Sequence, residues 1–250
     1  MNIESERIVI LGAGSAIARA TARLWAARGA RLVLVGRDQD RLNAIAADLV
    51  ARGAAQADCV ALDCASADAG AELAKMVETL GGLDILLLAY GVLGDQTELA
   101  RDPSAAATLI QTNFTSAAAW CLAAAAIFEK QRAGALLVIG SVAGDRGRRS
   151  NFIYGATKGG LARVVEGIAH RLAPFSARAV LIKPGFVDTP MTASITKKGL
   201  LWATPEQVAE AIEAAADRGG GGAWRPRGLR AEILAADHAY YSPHADFRLQ

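Results

Sequence analysis

The sequence predicts an α/β protein built on a doubly wound, Rossmann-type parallel sheet with helices on both faces. Strand-like apolar runs alternate with helical patterns along most of the chain. These strands are continuous apolar runs without polar alternation, which is typical of a sheet covered on both faces. Small residues join the first strand to the first helix. In such folds ligands bind at the carboxyl ends of the strands.

The first half of the chain supplies four strands and three helices. The run Ile8-Val9-Ile10-Leu11 opens the protein, and glycines bound the apolar run at 85–89 on both sides. The predicted strands span 8–11, 31–35, 59–62 and 85–89. The first predicted helix follows the turn and ends near residue 28, and the next two span 41–52 and 71–80.

The second half continues the alternation. Asp102 before Pro103 predicts an N-cap with proline at the first helical position, starting a long helix to about residue 130. Thr204 before Pro205 repeats this signal for a helix ending near 217. Between them lie a strand at 135–140, a helix at 152–172 and a strand at 179–182.

Composition excludes several classes of protein. The 250 residues are 52% hydrophobic and 21% charged, which supports a sizeable core and argues against general disorder. The net charge of +2 predicts no nucleic-acid partner. The longest apolar runs, 85–93 and 117–128, are shorter than the roughly 20 residues that span a bilayer. We therefore expect no stable membrane insertion.

Cysteine and histidine usage favours a reducing cytoplasm and no metal site. Cys59, Cys64 and Cys121 are odd in number and lack metal-ligand spacing. The chain has only three histidines. The polar N-terminus, which carries Glu4 and Glu6, does not resemble a signal peptide.

We expect a Rossmann-type domain at 1–217 and a tail of different character at 218–250. The run Gly219–Gly222 ends the alternating pattern, and an Arg-Pro-Arg-Gly stretch follows it. A loosely packed tail and a basic interaction arm both fit this composition.

The turn after the first strand is a candidate dinucleotide site. Its small residues allow a sharp turn, and the following helix start offers free N–H groups to a pyrophosphate. A strand-to-helix turn without a ligand also fits, because the full G-x-G-x-x-G pattern is absent. The predicted contacts are Gly12, Gly14, Ser15, Ala16 and Ile17.

The end of the second strand favours NADP over NAD. An NAD enzyme usually has a carboxylate here for the ribose hydroxyls, whereas a 2′-phosphate favours a guanidinium. The chain has Gly36 and Arg37 at this point. We interpret Asp38 as the N-cap of the next helix. Asp63, after the third strand, would contact the adenine or cap a loop.

The chemistry signal is Tyr154 followed four residues later by Lys158. This spacing places the phenol and the ammonium on one helix face, where the positive charge favours phenolate. Tyrosine then acts as an acid or base near neutral pH. Ser141 ends the preceding strand and could hold a substrate carbonyl beside Tyr154.

Over about residues 7–217 the chain resembles the short-chain dehydrogenases/reductases. The resemblance rests on the Gly-rich turn at 12–18, Asp63, Asn113, Ser141, Tyr154, Lys158 and the stretch Pro184-Gly185-Phe186-Val187-Asp188-Thr189. It implies NADP(H), or NAD(H), and a small carbonyl or alcohol substrate.

The resemblance also implies residue roles. Tyr154 would transfer a proton, Lys158 would lower its pKa and bind the nicotinamide ribose, and Ser141 would orient the substrate oxygen. Asn113 would hold a water in a proton relay with Lys158. The remaining cofactor contacts implied are Gly91, Pro184, Gly185, Val187 and Thr189. Individually, Ser141 and Thr189 also fit caps, and Val187 fits the core.

The chain departs from the family pattern in three places. Leu11 replaces a threonine before the turn, and Ala16 and Ala18 replace glycines in it. Tyr90 lies in the stretch where the family has Asn-Ala-Gly, and it would enter the cleft. The segment after Asp217 lacks the usual closing strand.

The substrate signal is a basic stretch between Ser141 and Tyr154. Arg146, Arg148 and Arg149 fit a solvated loop, a subunit contact, or guanidinium groups that hold an acidic or phosphorylated substrate. This stretch and the Ser-Ala-Ile of the turn resemble the reductases of decaprenylphosphoryl-2-keto-ribose. The alternative functions are therefore reduction of a polyprenyl-phosphate-linked keto-sugar, or a non-catalytic nucleotide-sensing module.

The resemblance further implies a homodimer or homotetramer joined through the helices at 103–130 and 152–172.

Met191 and the cluster at 200–202 are candidate substrate lining.

Overall fold

The computed structural model describes residues 5–193 and 202–217. Six strands form one parallel sheet in the order β3-β2-β1-β4-β5-β6. The chain passes outward from β1 to one edge and then from β4 to the other, so the order reverses between β1 and β4. This reversal opens a crevice at the carboxyl ends of these strands. The strands are β1 (Arg7–Leu11), β2 (Arg31–Gly36), β3 (Gln56–Ala61), β4 (Ile85–Leu88), β5 (Ala133–Ile139) and β6 (Ser176–Ile182).

Helices cover both faces of the sheet, as the sequence predicts. On one face α1, α2 and α8 pack with Trp25, Leu42 and Ile212 at the centre. On the other, α3, α6 and α7 pack around Trp120 and Phe128. The helices are α1 (Ala16–Ala27), α2 (Gln39–Ala51), α3 (Ala69–Leu80), α4 (Gln96–Leu99), α5 (Pro103–Ile110), α6 (Ser116–Gln131), α7 (Phe152–Leu172) and α8 (Pro205–Asp217).

The cap residues explain where several helices begin. The Asp38 carboxylate accepts a hydrogen bond from Arg41 N at 3.0 Å, which confirms its N-cap interpretation. Asp102 caps α5 in the same manner, with Pro103 in its first turn. Thr204 Oγ1 accepts from Gln207 N, and Gln207 Oε1 accepts from Thr204 N, which is a capping box at the start of α8.

The structure differs from the sequence prediction at the long helix. A π-helical turn, Gln111–Thr115, separates α5 from α6, so the predicted continuous helix is wrong at this point. β3 and β6 begin three residues earlier than predicted. The short α4 and two 3-10 turns, Val142–Gly144 and Pro190–Thr192, had no sequence signal that we recognised.

No helix in the described part of the chain is long and apolar enough to cross a membrane. Within the same residues, no three His, Cys, Asp or Glu side chains are grouped as metal ligands. The tail at 218–250 lies outside the described residues.

Candidate active site

The turn after β1 is shaped by Gly12. Its φ of +84° lies in the left-handed region, and a Cβ there would approach Tyr90 N at 2.7 Å. Gly12 N and Ala13 N both donate to Val35 O at 2.9 Å, which fixes the turn to β2. The first turn of α1, which begins at Ala16, has no acidic residue. This backbone geometry fits a dinucleotide pyrophosphate.

The other predicted residues of this turn divide between its surface and the core. Ser15 precedes α1 as its N-cap and makes no side-chain cap bond. Gly14 and Ala16 are partly exposed on the turn. Ile17 is 8% exposed and packs into the core beneath the turn.

Arg41, which the sequence analysis did not select, lies over this turn. Its Nη2 donates to Gly14 O at 2.6 Å. A cavity of about 170 Å³ beside it, between α1 and α2, is also lined by Arg19 and Arg23. Arg37 is exposed, and no ion pair involves it among the described residues. The sequence signal for Arg41 was its position, because it follows Arg37 by four residues and lies in the first turn of a helix.

Asp63 and Tyr90 have structural partners. The Asp63 carboxylate accepts from Ala65 N at 3.0 Å, so it caps a loop, as one of the two interpretations stated. The Tyr90 hydroxyl hydrogen-bonds Ser116 Oγ at 2.8 Å, and its ring packs against the core below α6. Burial raises the pKa of Tyr90. The expectation that Tyr90 enters the cleft is therefore wrong, because the phenol turns toward α6.

Gly91 lies where Asn113 and Lys158 approach the backbone after β4. A Cβ at Gly91 would lie 3.1 Å from Asn113 Oδ1 and 3.6 Å from Lys158 Nζ. Asn113 is 1% exposed; its Oδ1 accepts from Val92 N at 2.8 Å and its Nδ2 donates to Val92 O at 2.7 Å. Asn113 occupies the π-helical turn, a feature that is frequent at functional sites. The sequence-predicted Asn113 and Lys158 thus both approach Gly91 within 4 Å of the position that a Cβ would occupy.

The end of β5 and the first turn of α7 bring together Ser141, Tyr154 and Lys158. The Ser141 hydroxyl lies close enough to the Tyr154 phenol to lower its pKa. The same hydroxyl accepts a hydrogen bond from Ala143 N at 3.1 Å, which caps the turn Val142–Gly144. Lys158 Nζ lies 5.9 Å from the centre of the Tyr154 ring and donates to Ile139 O at 3.0 Å. The i, i+4 spacing therefore places phenol and ammonium together, as predicted.

Burial dominates the electrostatics of this group. Burial lowers the pKa of Lys158, which is 5% exposed, to about 8. Burial also raises the pKa of Tyr154, while the neighbouring Ser141 hydroxyl acts in the opposite direction. The expectation that Lys158 lowers the Tyr154 pKa is not met by the protein groups alone, because burial has the larger effect.

The loop after β6 is joined to the segment after Ser141, because Val142 N donates to Pro184 O at 3.3 Å. Pro184 and Val187 are buried, Gly185 is exposed, and Thr189 is half-buried. Val187 packs into the core and bridges to Ala203, so its core interpretation holds. Thr189 is the N-cap of the turn Pro190–Thr192, and it accepts at its carbonyl from Thr192 N. Thr192, which the sequence analysis missed, donates its hydroxyl to Val187 O at 2.6 Å.

The basic stretch is open to solvent. Arg146 and Arg149 are exposed and Arg148 is half-buried, and none of them forms an ion pair within the described residues. Large exposed apolar side chains occur at the start of α7 and on the segments that follow β4 and β6. They are Val92, Phe152, Phe186 and Met191.

The rest of the proposed lining is only partly described. The Trp202 ring stacks on Phe186, with ring centres 5.2 Å apart. Leu200 and Leu201 lie outside the described residues. Burial raises the pKa of the Cys64 and Cys121 thiols to about 12, so neither is a nucleophile at neutral pH.

Comparison with known proteins identifies the class. The model of the family described as short chain dehydrogenase matches residues 6–199. The chain therefore belongs to the short-chain dehydrogenase/reductase family, whose members are oxidoreductases that generally use NAD(H) or NADP(H) and act on small molecules.

Curated relatives agree with this class. An uncharacterized oxidoreductase of Streptomyces coelicolor is 38% identical over 91% of this chain and 90% of its own length. An uncharacterized oxidoreductase of Mycobacterium tuberculosis is 35% identical, with 91% of each chain covered. A 3-oxoacyl-[acyl-carrier-protein] reductase of Bos taurus is 30% identical over 76% of this chain and 78% of its own.

Solved structures confirm the fold. A short chain dehydrogenase/reductase family protein superposes with a TM-score of 0.75 at 27% identity, covering 87% of this chain and 94% of that one. An NAD⁺-bound xylitol dehydrogenase superposes with a TM-score of 0.76 over the same shares. Its identity is 19%, so it is similar in fold alone.

Proposed function

We propose that the protein is an NADP(H)-dependent oxidoreductase that moves a hydride between the nicotinamide and a carbonyl/alcohol pair, with Tyr154 as the acid/base. The observation that carries this proposal is the grouping of Ser141, Tyr154 and Lys158 at the carboxyl edge of the sheet. Gly12, with its positive φ and close approach to Tyr90, supports a dinucleotide next to that group.

Each catalytic side chain has a distinct role in the proposal. The bound cofactor supplies or accepts the hydride. In reduction Tyr154 donates its phenolic proton to the substrate oxygen, and in oxidation it takes that proton back. Ser141 holds the same oxygen by a hydrogen bond. Lys158 stabilises the phenolate that remains, because its ammonium lies one helical turn away.

Asn113 supports the return of the proton. Its side chain holds Val92 through both amide atoms, which fixes the backbone around Gly91. A water between Asn113 and Lys158 would connect Tyr154 to solvent. The nicotinamide side of the cofactor site would be completed by Pro184, Gly185, Val187 and Thr189.

The proposal favours NADP over NAD. Asp38 is engaged as a helix cap, so its carboxylate does not replace the ribose-binding acid of NAD enzymes. Arg37 is exposed, and Arg41 reaches the turn itself at Gly14 O. Two guanidinium groups at this point favour a 2′-phosphate.

The proposed substrate carries an anionic group and an apolar portion. Arg146, Arg148 and Arg149 lie between Ser141 and Tyr154 in the chain without described ion pairs. Phe152, which follows them in the chain, and Phe186, on the loop after β6, are exposed apolar side chains. A lipid-linked, phosphorylated keto-sugar fits this chemistry and is the second candidate substrate class. A nucleotide-sensing module is disfavoured, since a sensor needs no grouped proton-transfer set.

The organisation of the chain is also part of the proposal. Residues 1–217 would form the catalytic domain of a cytoplasmic enzyme, with 218–250 as a separate tail. A homodimer or homotetramer would form through α5–α6 and α7. Ile110 and Leu122, which are 39% and 49% exposed on these helices, support such a contact.

The direct test is a screen of ketones, 3-oxoacyl thioesters and phosphorylated keto-sugars, following the loss of NADPH absorbance. We expect turnover of a carbonyl compound with NADPH, and a lower KM for an anionic compound than for its neutral analogue. Binding of NADPH without turnover of any member of the screen would favour the sensing module.

A further inference from the structure

An ion pair with one buried member lies beside the catalytic group. Lys183, the residue after β6, is 5% exposed, and its Nζ lies 2.7 Å from Asp145 Oδ1. Asp145 directly follows the 3-10 turn that Ser141 caps. The Asp145 side chain is 45% exposed, whereas that of Lys183 is 7% exposed. The pair therefore has one buried member and one member that reaches solvent.

The pair connects two segments with different parts of the proposed chemistry. One segment carries Ser141, and the other continues from Pro184 to Thr189 on the proposed nicotinamide side. Two main-chain hydrogen bonds also join them: Gly140 N donates to Ile182 O at 2.8 Å, and Val142 N donates to Pro184 O at 3.3 Å. The ion pair is a side-chain link at the same junction.

Stability alone does not explain a lysine at this position. A buried ammonium has a large desolvation cost, and an apolar side chain of similar volume is often equal or better for stability. A charged pair, however, sets a fixed distance and direction between the two backbones it joins. Displacements of about 1 Å at a reacting centre are enough to lower rates by about 100-fold.

We propose that Lys183 and Asp145 are a positioning pair that holds the Ser141 turn in register with the loop Pro184–Thr189. The pair touches neither substrate nor cofactor and acts through Ser141 on one side and the loop backbone on the other. This role rests on the proposed oxidoreductase function.

The test compares Lys183→Met and Asp145→Asn with the wild-type protein. We expect each variant to lower kcat about tenfold or more, to change the Kd for NADPH by less than about threefold, and to raise the kinetic isotope effect with 4-deuterated NADPH. The isotope effect rises because misplacement slows hydride transfer itself. Lys183→Arg should recover most of kcat, since it restores the charge.

The matched control is Asp84→Asn. Asp84 pairs with Arg7, also at 2.7 Å, near the amino ends of β1 and β4, at the opposite edge of the sheet. Its loss should lower the unfolding midpoint without changing kcat or the isotope effect at a temperature where the protein is folded. An unchanged isotope effect in both Lys183→Met and Asp145→Asn would overturn the positioning role. A loss of kcat in these two variants no larger than that in Asp84→Asn would overturn it as well.

Hydrogen exchange separates this proposal from the proposed function. Lys183→Met should increase exchange both at 142–145 and at 185–189, whereas Asp84→Asn should not. If the wild-type protein turns over no carbonyl compound, the proposed oxidoreductase function is rejected. Hydrogen exchange still tests whether Lys183 and Asp145 couple the Ser141 turn to the loop Pro184–Thr189. Exchange that rises only at 185–189 would overturn the coupling. If Lys183→Met does not fold, Asp145→Asn gives the same test, because Asp145 is half exposed.

Discussion

Lys158 Nζ lies 5.9 Å from the ring centre of Tyr154 and is hydrogen-bonded to the carbonyl of Ile139. Deep burial lowers the pKa of Lys158 to about 8. A positive charge is therefore held next to the phenol at neutral pH, but at a cost in stability. This relation between Lys158 and Tyr154 makes the chemistry of the site testable by thermodynamics as well as by kinetics.

The first prediction concerns stability against pH. The pKa of Lys158 is lowered on folding from 10.5 to about 8, so between these values the unfolded chain binds more protons and stability rises with pH. From pH 7 to 9.5 the wild-type protein should gain about 2 kcal/mol relative to Lys158→Met. Guanidinium unfolding of both proteins at the two pH values measures this difference. An equal change in the free energy of unfolding of both proteins between the two pH values would show that the pKa of Lys158 is not lowered on folding.

The second prediction concerns the cofactor turn. Gly12→Ala should destabilise the protein by about 2 kcal/mol or more, because the residue has φ +84° and its Cβ would meet the Tyr90 backbone. Gly14→Ala is the control, since its Cβ would lie 3.4 Å from the side chain of Arg41 and its φ is not in the left-handed region. Thermal unfolding and NADPH titration check both variants. Equal unfolding midpoints for Gly12→Ala and Gly14→Ala would contradict the expected backbone strain at Gly12.

The third prediction concerns cofactor choice. Arg37→Ser and Arg41→Ser should each weaken NADPH binding about tenfold and leave NADH binding nearly unchanged, because each removes a guanidinium from the 2′-phosphate. Arg52→Ser serves as the control, since Arg52 lies just after α2 and pairs with Asp48. Titration followed by tryptophan fluorescence gives the affinities. Tighter binding of NADH than NADPH to the wild-type protein would reject this assignment.

The fourth prediction concerns the substrate. Reversing the charge at Arg148 and Arg149 should raise the KM for an anionic carbonyl compound at least about tenfold and leave that of its neutral analogue unchanged. Arg163→Glu is the control, because Arg163 pairs with Glu166 on α7. Steady-state kinetics with the two compounds provide the comparison. Equal effects on both would return the arginines to a solvated loop.

The class of fold and the candidate site residues could be predicted from the sequence because their signals are local. The strand-to-helix turn, the Asp-Pro cap at Asp102 and the spacing of Tyr154 and Lys158 are each visible within a few residues. Asp38 as a cap follows from the same local rule, and the structure confirms it.

Other features depend on tertiary contacts that no short pattern reveals. The π-helical turn places Asn113 against Val92, a residue distant in sequence. Because no local pattern marks this contact, the sequence predicted one continuous helix here. Arg41, in the first turn of α2, reaches Gly14 in the turn after β1. Lys183, just after β6, pairs with Asp145, which follows β5. The direction of the Tyr154 pKa shift also depends on burial, which sequence spacing does not measure.

The measurement that bears most directly on the proposed function is the turnover of Tyr154→Phe with NADPH and the best carbonyl substrate of the screen. Loss of the phenolic proton should lower kcat by about 100-fold to 10,000-fold, while the NADPH affinity stays within about threefold of wild type. Phenylalanine keeps the ring that packs beside Lys158, so the fold should be retained. Turnover equal to wild type would contradict the role of Tyr154 as the acid/base.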